Sequence, residues 1–246
     1  MSGHSKWSTI KRQKGAADAK RGVAFGKLTN AVILAAKQGG GDPSANFSLK
    51  MAIEKAKAAN MPKENIDRAI KRGTGELGGA IIEEVLYEAI GPVGVGIIIE
   101  AATDNRNRIT PEIKSNLSKY GAKMASSGAV AYQFMKMGKL LVGLEGKDRE
   151  EVELAAIDAG VEDFEEQDNS LAIFTKPNEL EHVKKSLESA GLVIKESSLS
   201  WEPKDTIKIE NKEEAQKVMN LMEILDEMDD VTNVYSNFDI NEEILT

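Results

Sequence analysis

Apolar residues recur at helical spacing through the first third of the chain. Phe25, Leu28, Val32 and Ala35 predict one helix, which Gly39-Gly40-Gly41 ends. Asp42-Pro43 predicts the start of a second, with Asp as cap and Pro at the first helical position. Met51, Ile53, Ala56 and Ala59 continue it. Pro62 opens a short third helix, on which Ile66, Ala69 and Ile70 face inward before Gly73 stops it. Ahead of these, residues 2–16 show no period. Their one aliphatic residue, Ile10, lies among Lys6, Lys11, Arg12 and Lys14, which predicts a mobile basic arm.

The pattern changes at Gly78-Gly79. Ile81 to Ala89 predicts a strand, Gly91-Pro92 a turn, and Val93 to Thr103 a second, largely buried strand. Thr110-Pro111 is read as the cap of a helix to about Tyr120, and Val130 to Phe134 as another strand. A strand–helix–strand–strand–helix–strand series follows: 140–144, 150–159, 164–167, 171–175, 178–190 and 193–200. That is the ferredoxin-like order. A strand at 206–209, a helix at 212–228 and a strand at 231–236 close the chain, too few strands to stand alone. They are expected to pair back onto residues 80–135. The fold class is therefore α+β: an N-terminal three-helix domain, then two ferredoxin-like α/β domains, the last inserted into the middle one. The expected domains are 1–78, then 79–135 plus 204–246, with 136–203 inserted.

Charge sharpens this division. The net charge of −8 over 246 residues conceals opposite segments. Residues 1–80 hold 15 Lys+Arg against 6 Asp+Glu, a balance of +9; the remainder holds 17 against 34, a balance of −17. A basic segment attracts polyanions over a screening length of roughly 8 Å, and an acidic remainder would orient it towards them. With no cysteine, disulfides and thiolate metal sites are excluded. The N-terminal residues lack the apolar core of a signal peptide, and the apolar run Val93–Ile99 is too short to span a bilayer. A cytoplasmic protein without membrane contact is expected.

Several blocks resemble one family. They are Gly3-His4-Ser5-Lys6-Trp7, Asp18 to Gly22, Lys55 to Pro62, Arg68 to Glu76, Tyr87-Glu88 before Gly91-Pro92, Thr103 to Arg108, and Gly128 to Phe134. In this order they resemble the YebC/PmpR signature, densest over residues 3–76 and thin over 136–246. Ser8-Thr9, Gln13-Lys14-Gly15 and Ala129 depart from its usual residues without removing a charge. The resemblance implies a three-domain gene-expression regulator. Bacterial members are generally called DNA-binding transcriptional regulators. A mitochondrial branch activates translation, and bacterial relatives have been tied to the ribosome. The resemblance leaves DNA and ribosomal RNA both open as partners.

The candidate nucleic-acid-binding residues are Lys6, Trp7, Lys11, Arg12 and Lys14 of the arm, Lys20, Arg21 and Lys27 at the first helix, and Lys63, Arg68, Lys71 and Arg72 on the third. The cations suit phosphates and the indole suits stacking. The competing readings are a merely solvated tail and cations that complement a helix dipole. No helix shows a base-reading face that would define a helix-turn-helix. Arg106 and Arg108, at a helix start, form a candidate anion site, against which stands an ordinary loop with local Asp and Asn turns. The glycine triplet lacks the Lys-Ser/Thr of a phosphate loop and is read as a flexible hinge. His4 and His182 are too isolated for a metal site, and the carboxylates at 162–166 and 223–230 read as solvated faces. With no catalytic motif, the expectation is a regulator without enzymatic activity, cofactor or metal; an enzyme acting on nucleic acid is the remote alternative. Oligomeric state is not legible, and a monomer is compatible with everything above.

Overall fold

In the computed structural model, residues 21–167 and 169–240 are described, with side chains from Phe25 onward. They form two compact units: Phe134–Lys204, and the described residues up to Gln133 together with those from Asp205.

The larger unit opens with three helices, α1 (Arg21–Gly39), α2 (Phe47–Ala58) and α3 (Lys63–Gly73). Val32, Ile33, Ala36, Leu49, Ile53, Ala56, Ile66 and Ala69 form their common core. A Cβ on Gly73 would stand 2.5 Å from the Ile33 carbonyl oxygen and 2.7 Å from Ala36 Cβ, so only glycine lets α3 close on α1 here. The second helix starts at Phe47, not at Asp42-Pro43 as the sequence predicts. Asp42 is spent locally, accepting from Ser44 N (2.9 Å) and Ser44 Oγ (2.7 Å). Asn46 caps α2 in its place, accepting from Leu49 N at 3.0 Å. Its amide donates back to Ala35 O and Gly40 O, both at 2.8 Å. The glycine triplet is thus a pinned corner, with Gly40 at φ +86°, rather than the expected hinge.

A four-stranded antiparallel sheet follows, in the order β3 (Lys123–Ala125), β1 (Glu83–Ile90), β2 (Gly96–Thr103), β9 (Val231–Ser236). The C-terminal strand β9 pairs with β2, so the chain does return to this sheet. One face packs Ile97, Ile99 and Ala101 against α4 (Arg106–Lys119) and α7 (Lys212–Glu227). The other face puts Ala102 into the helical core together with Ile82. Successive residues of β2 therefore serve two cores, which explains its nearly unbroken burial. Asn30 Nδ2 also donates to Ala102 O (3.3 Å), and Lys37 Nζ to Ile82 O (3.0 Å), tying α1 to the sheet.

Several elements differ from expectation. Helix α4 starts at Arg106, because Asn105 caps it by accepting from Arg108 N at 3.2 Å; Thr110-Pro111 lies inside the helix. Its buried face carries Ile109, Ile113 and Leu117. The strand expected at Val130–Phe134 is a 3-10 turn at Ala131–Gln133, after which β4 (Phe134–Gly143) begins. The N–H groups of Val130 and Ala131 bond a side chain instead of a strand, as described below. Two three-residue strands escape the pattern: β3, and β10 (Phe238–Ile240), which pairs in parallel with β8 (Ile207–Ile209).

The smaller unit is the βαββαβ element, with β4, α5 (Arg149–Asp158), β5 (Asp163–Gln167), β6 (Ser170–Thr175), α6 (Leu180–Ser189) and β7 (Val193–Pro203). The antiparallel sheet runs β5-β6-β4-β7. A Cβ on Gly138 would lie 2.9 Å from Leu180 Cβ, so glycine allows α6 onto this sheet. On the opposite face Leu141, Ala172 and Phe174 cluster, with Lys139 Nζ 5.2 Å from the Phe174 ring centre.

Candidate nucleic-acid interface

The third helix is amphipathic by construction. Ile66 and Ala69 take its inner face, and the 100° step per residue then points Glu64, Arg68 and Lys71 outward. Lys63, Arg68 and Lys71 are exposed. No ion pair forms at any of the three among the described residues, although Glu64 stands one turn from Arg68. Arg72 is half-buried at the edge of this face and donates to Ala80 O at 3.2 Å, closing the loop after the helix. On α2, Lys50 and Lys57 are likewise exposed and lie two turns apart.

Other predicted cations have structural employment. Lys27 donates to the backbone carbonyl of Asp226 in the last turn of α7, where helix carbonyls lack partners and a cation opposes the dipole. Arg106 pairs with Glu83 at 2.8 Å. Arg108 pairs with Asp230 at 2.7 Å and Asp104 at 3.2 Å, and Thr103 Oγ1 donates to the same Asp230 carboxylate at 2.9 Å. The two candidate anion-site arginines thus already face carboxylates. Arg149, the remaining arginine of residues 81–246, bridges Glu153 and Glu166. All three arginines outside the helical segment are neutralised, while Arg68 is not. Lys6, Trp7, Lys11, Arg12, Lys14 and Lys20 lie outside the described residues, as does the Arg21 side chain.

A second feature joins two sequence blocks that are far apart. Glu88 on β1 is 4% exposed and accepts three backbone bonds, from Gly128 N (2.6 Å), Val130 N (2.6 Å) and Ala131 N (2.8 Å). Burial pushes its carboxyl up, but the three N–H donors outweigh it, and the group lies below its ordinary value. The clamped loop presents Tyr132, 66% exposed. Sequence reasoning passed over both residues, since neither belongs to a charge cluster; the one signal was their place in the blocks at 87–88 and 128–134.

Among the described residues, no group of three or more His, Asp or Glu is placed to hold a metal ion, and no helix is long and apolar enough to cross a membrane. His182 is exposed on α6. Of the acidic runs, Glu162 pairs with Lys176 at 3.3 Å and Glu166 with Arg149.

Comparison with known proteins follows this division of the chain. Residues 5–76 match the family model for the TACO1/YebC protein N-terminal domain, and residues 82–238 that for the TACO1/YebC second and third domain. A protein of Thermoanaerobacter pseudethanolicus named a probable transcriptional regulatory protein is 48% identical over 244 residues, covering 99% of each chain. One of the same name from Halothermothrix orenii is 46% identical, covering 100% of this chain and 98% of its own. The crystal structure of a conserved hypothetical protein from Aquifex aeolicus superposes with a TM-score of 0.87 at 44% identity, over 93% of this chain and 94% of that one. The chain belongs to the TACO1/YebC family.

Proposed function

We propose that this protein is a non-enzymatic regulator of gene expression that binds nucleic acid through its basic N-terminal helices, as a DNA-binding transcriptional regulator of the cytoplasm. The observation that carries this reading is the unpaired, exposed cation row of α3, Lys63, Arg68 and Lys71, in the segment of +9 balance. Elsewhere the arginines are bound to carboxylates, and the balance of −17 repels a polyanion. Such a surface contacts phosphates and positions the protein, without reading bases. The names of the relatives agree with a role in transcription.

A ribosome- or RNA-binding translation factor is the second reading. Glu64 and Asp67 are exposed beside Arg68 and Lys71, so α3 is poorly suited to deep insertion in a major groove. A helix that tracks phosphates from outside suits folded RNA as well as duplex DNA.

The test is binding of the full chain to a mixed-sequence DNA duplex at about 0.15 M salt with ribosomes as competitor, where non-specific affinity is of order 10⁻⁴ to 10⁻⁶ M. Tighter binding, indifferent to ribosomes, supports the transcriptional reading. Weak binding that ribosomes remove supports the translational one. Under either, the Lys63→Glu, Arg68→Glu, Lys71→Glu triple variant weakens binding and flattens the salt dependence by up to about three phosphates' worth, roughly 0.9 in log–log slope for each. An unchanged slope removes α3 from the interface.

A further inference from the structure

We propose that Tyr132 is a stacking platform for an unpaired nucleobase, which gives the protein a single-strand contact in addition to the phosphate contacts of its helices. The proposal rests on the nucleic-acid reading above and names the form of nucleic acid it takes.

Tyr132 is the one aromatic among the strongly exposed large apolar side chains of the described residues. Such a ring in water has either no role or a planar partner. The framework beneath it argues for the partner, because it is rigid on both sides of the ring. Upstream, the Glu88 carboxylate holds three N–H groups of the loop. Downstream, Gln133 N donates to Val130 O at 2.9 Å, and the Gln133 side-chain oxygen accepts from Asn237 Nδ2 at 2.9 Å. Asn237 is itself buried and accepts from Gly96 N at 2.7 Å. A ring presented by a loop held on both sides by hydrogen bonds loses little freedom when a flat ligand covers it.

The sheet face that carries Glu88 has further groups that suit a nucleotide. Ile90, two residues beyond Glu88 and on the same sheet face, is 45% exposed. Its cross-strand partner Lys123 is exposed and in no ion pair among the described residues. The exposed ring supplies a base stack, and Lys123, on the edge strand of the sheet that carries its clamp, offers a cation for a phosphate. Glu88 does not oppose the phosphate as a bare charge, since three donors surround its carboxylate. The base has to be unpaired, because base faces inside a duplex are already stacked.

The experiment uses full-length protein, a fluorescein-labelled mixed-sequence single-stranded oligonucleotide and the corresponding duplex, each titrated across a salt series. Tyr132→Ala is expected to weaken single-strand binding roughly tenfold, with the salt slope and duplex affinity unchanged. Tyr132→Phe and Tyr132→Trp are expected to retain single-strand affinity, since either ring stacks. Equal single-strand affinity for wild type and Tyr132→Ala overturns the inference and leaves the nucleic-acid reading standing. So does an equal loss on single strand and duplex, which marks a structural role. If the wild type binds neither probe, both readings fall together.

Discussion

Glu88 shows how one residue can hold two distant stretches of chain in register. Forty positions separate it from the loop it clamps, and the three bonds leave its carboxyl below the ordinary value of 4.5. A carboxylate whose folded value is depressed contributes stability that is fully present above the unfolded value and disappears as pH falls through the folded one. Glu88→Gln has no charge to lose. At neutral pH it should be less stable than wild type by about 1–3 kcal/mol, the cost of poorly satisfied buried donors. The gap should narrow as pH drops below about 4.5. Urea midpoints at neutral and acid pH measure this, and parallel acid loss in both proteins would rule out the Glu88 account. The role was not legible in the sequence, where Glu88 is one more acid in a strand. Its partners are backbone amides, which carry no residue signature. Lys27 is the converse case. As a charge in a basic segment it looked like a phosphate ligand, yet its amine faces the end of α7.

At the scale of elements, helix starts were the least legible feature, and for one reason. Asp42 and Thr110 both satisfy the composition rule for a cap, but an Asn a few residues away does the capping. Which side chain caps depends on where the first apolar residue must be buried. Leu49 and Ile109 set that, and Asn46 and Asn105 stand three or four residues before them. Asn46 also joins elements, since its one amide serves the α1 terminus and the corner after it. Asn46→Ala removes a cap worth about 1 kcal/mol and orphans carbonyls in a buried site, so a loss of about 2–3 kcal/mol is expected. Thermal unfolding would measure it; a change under about 0.5 kcal/mol, typical of a surface site, would show that water replaces all three bonds. The long helices lie near their expected spans, because periodicity over many residues averages out local ambiguity, but strand β4 runs Phe134–Gly143 where 140–144 was expected. Strand β9 matches its expected span of 231–236, whereas β3 and β10, three residues each, have no period to detect.

At the scale of the molecule, the inserted unit leaves and rejoins the larger unit through neighbouring strands. Phe134 at the start of β4 pairs directly with Pro203 at the end of β7. Cross-strand partners lie about 5 Å apart, so a short Gly-Ser linker can join residue 133 to residue 204. Excising residues 134–203 should therefore leave a unit that unfolds cooperatively and keeps its duplex affinity, since the unpaired cations of α3 remain. Equilibrium unfolding and anisotropy titration check both points. A variant that folds but no longer binds would show that the inserted unit supplies contacts of its own.

The sequence by itself determined the α+β class, the three N-terminal helices, the ferredoxin-like order of the inserted unit and the opposition of basic and acidic segments. These follow from periodicity, turn residues and charge, which are local or additive properties. Tertiary structure decided the rest. It showed that the helical core continues into Ile82 and Ala102, because alternate residues of one strand face two cores. It separated cations that are spent from cations that are free, because an ion pair depends on where the chain brings a carboxylate. It also turned an expected strand into a clamped loop bearing Tyr132, because a buried carboxylate competes for backbone N–H groups that a sheet would otherwise take.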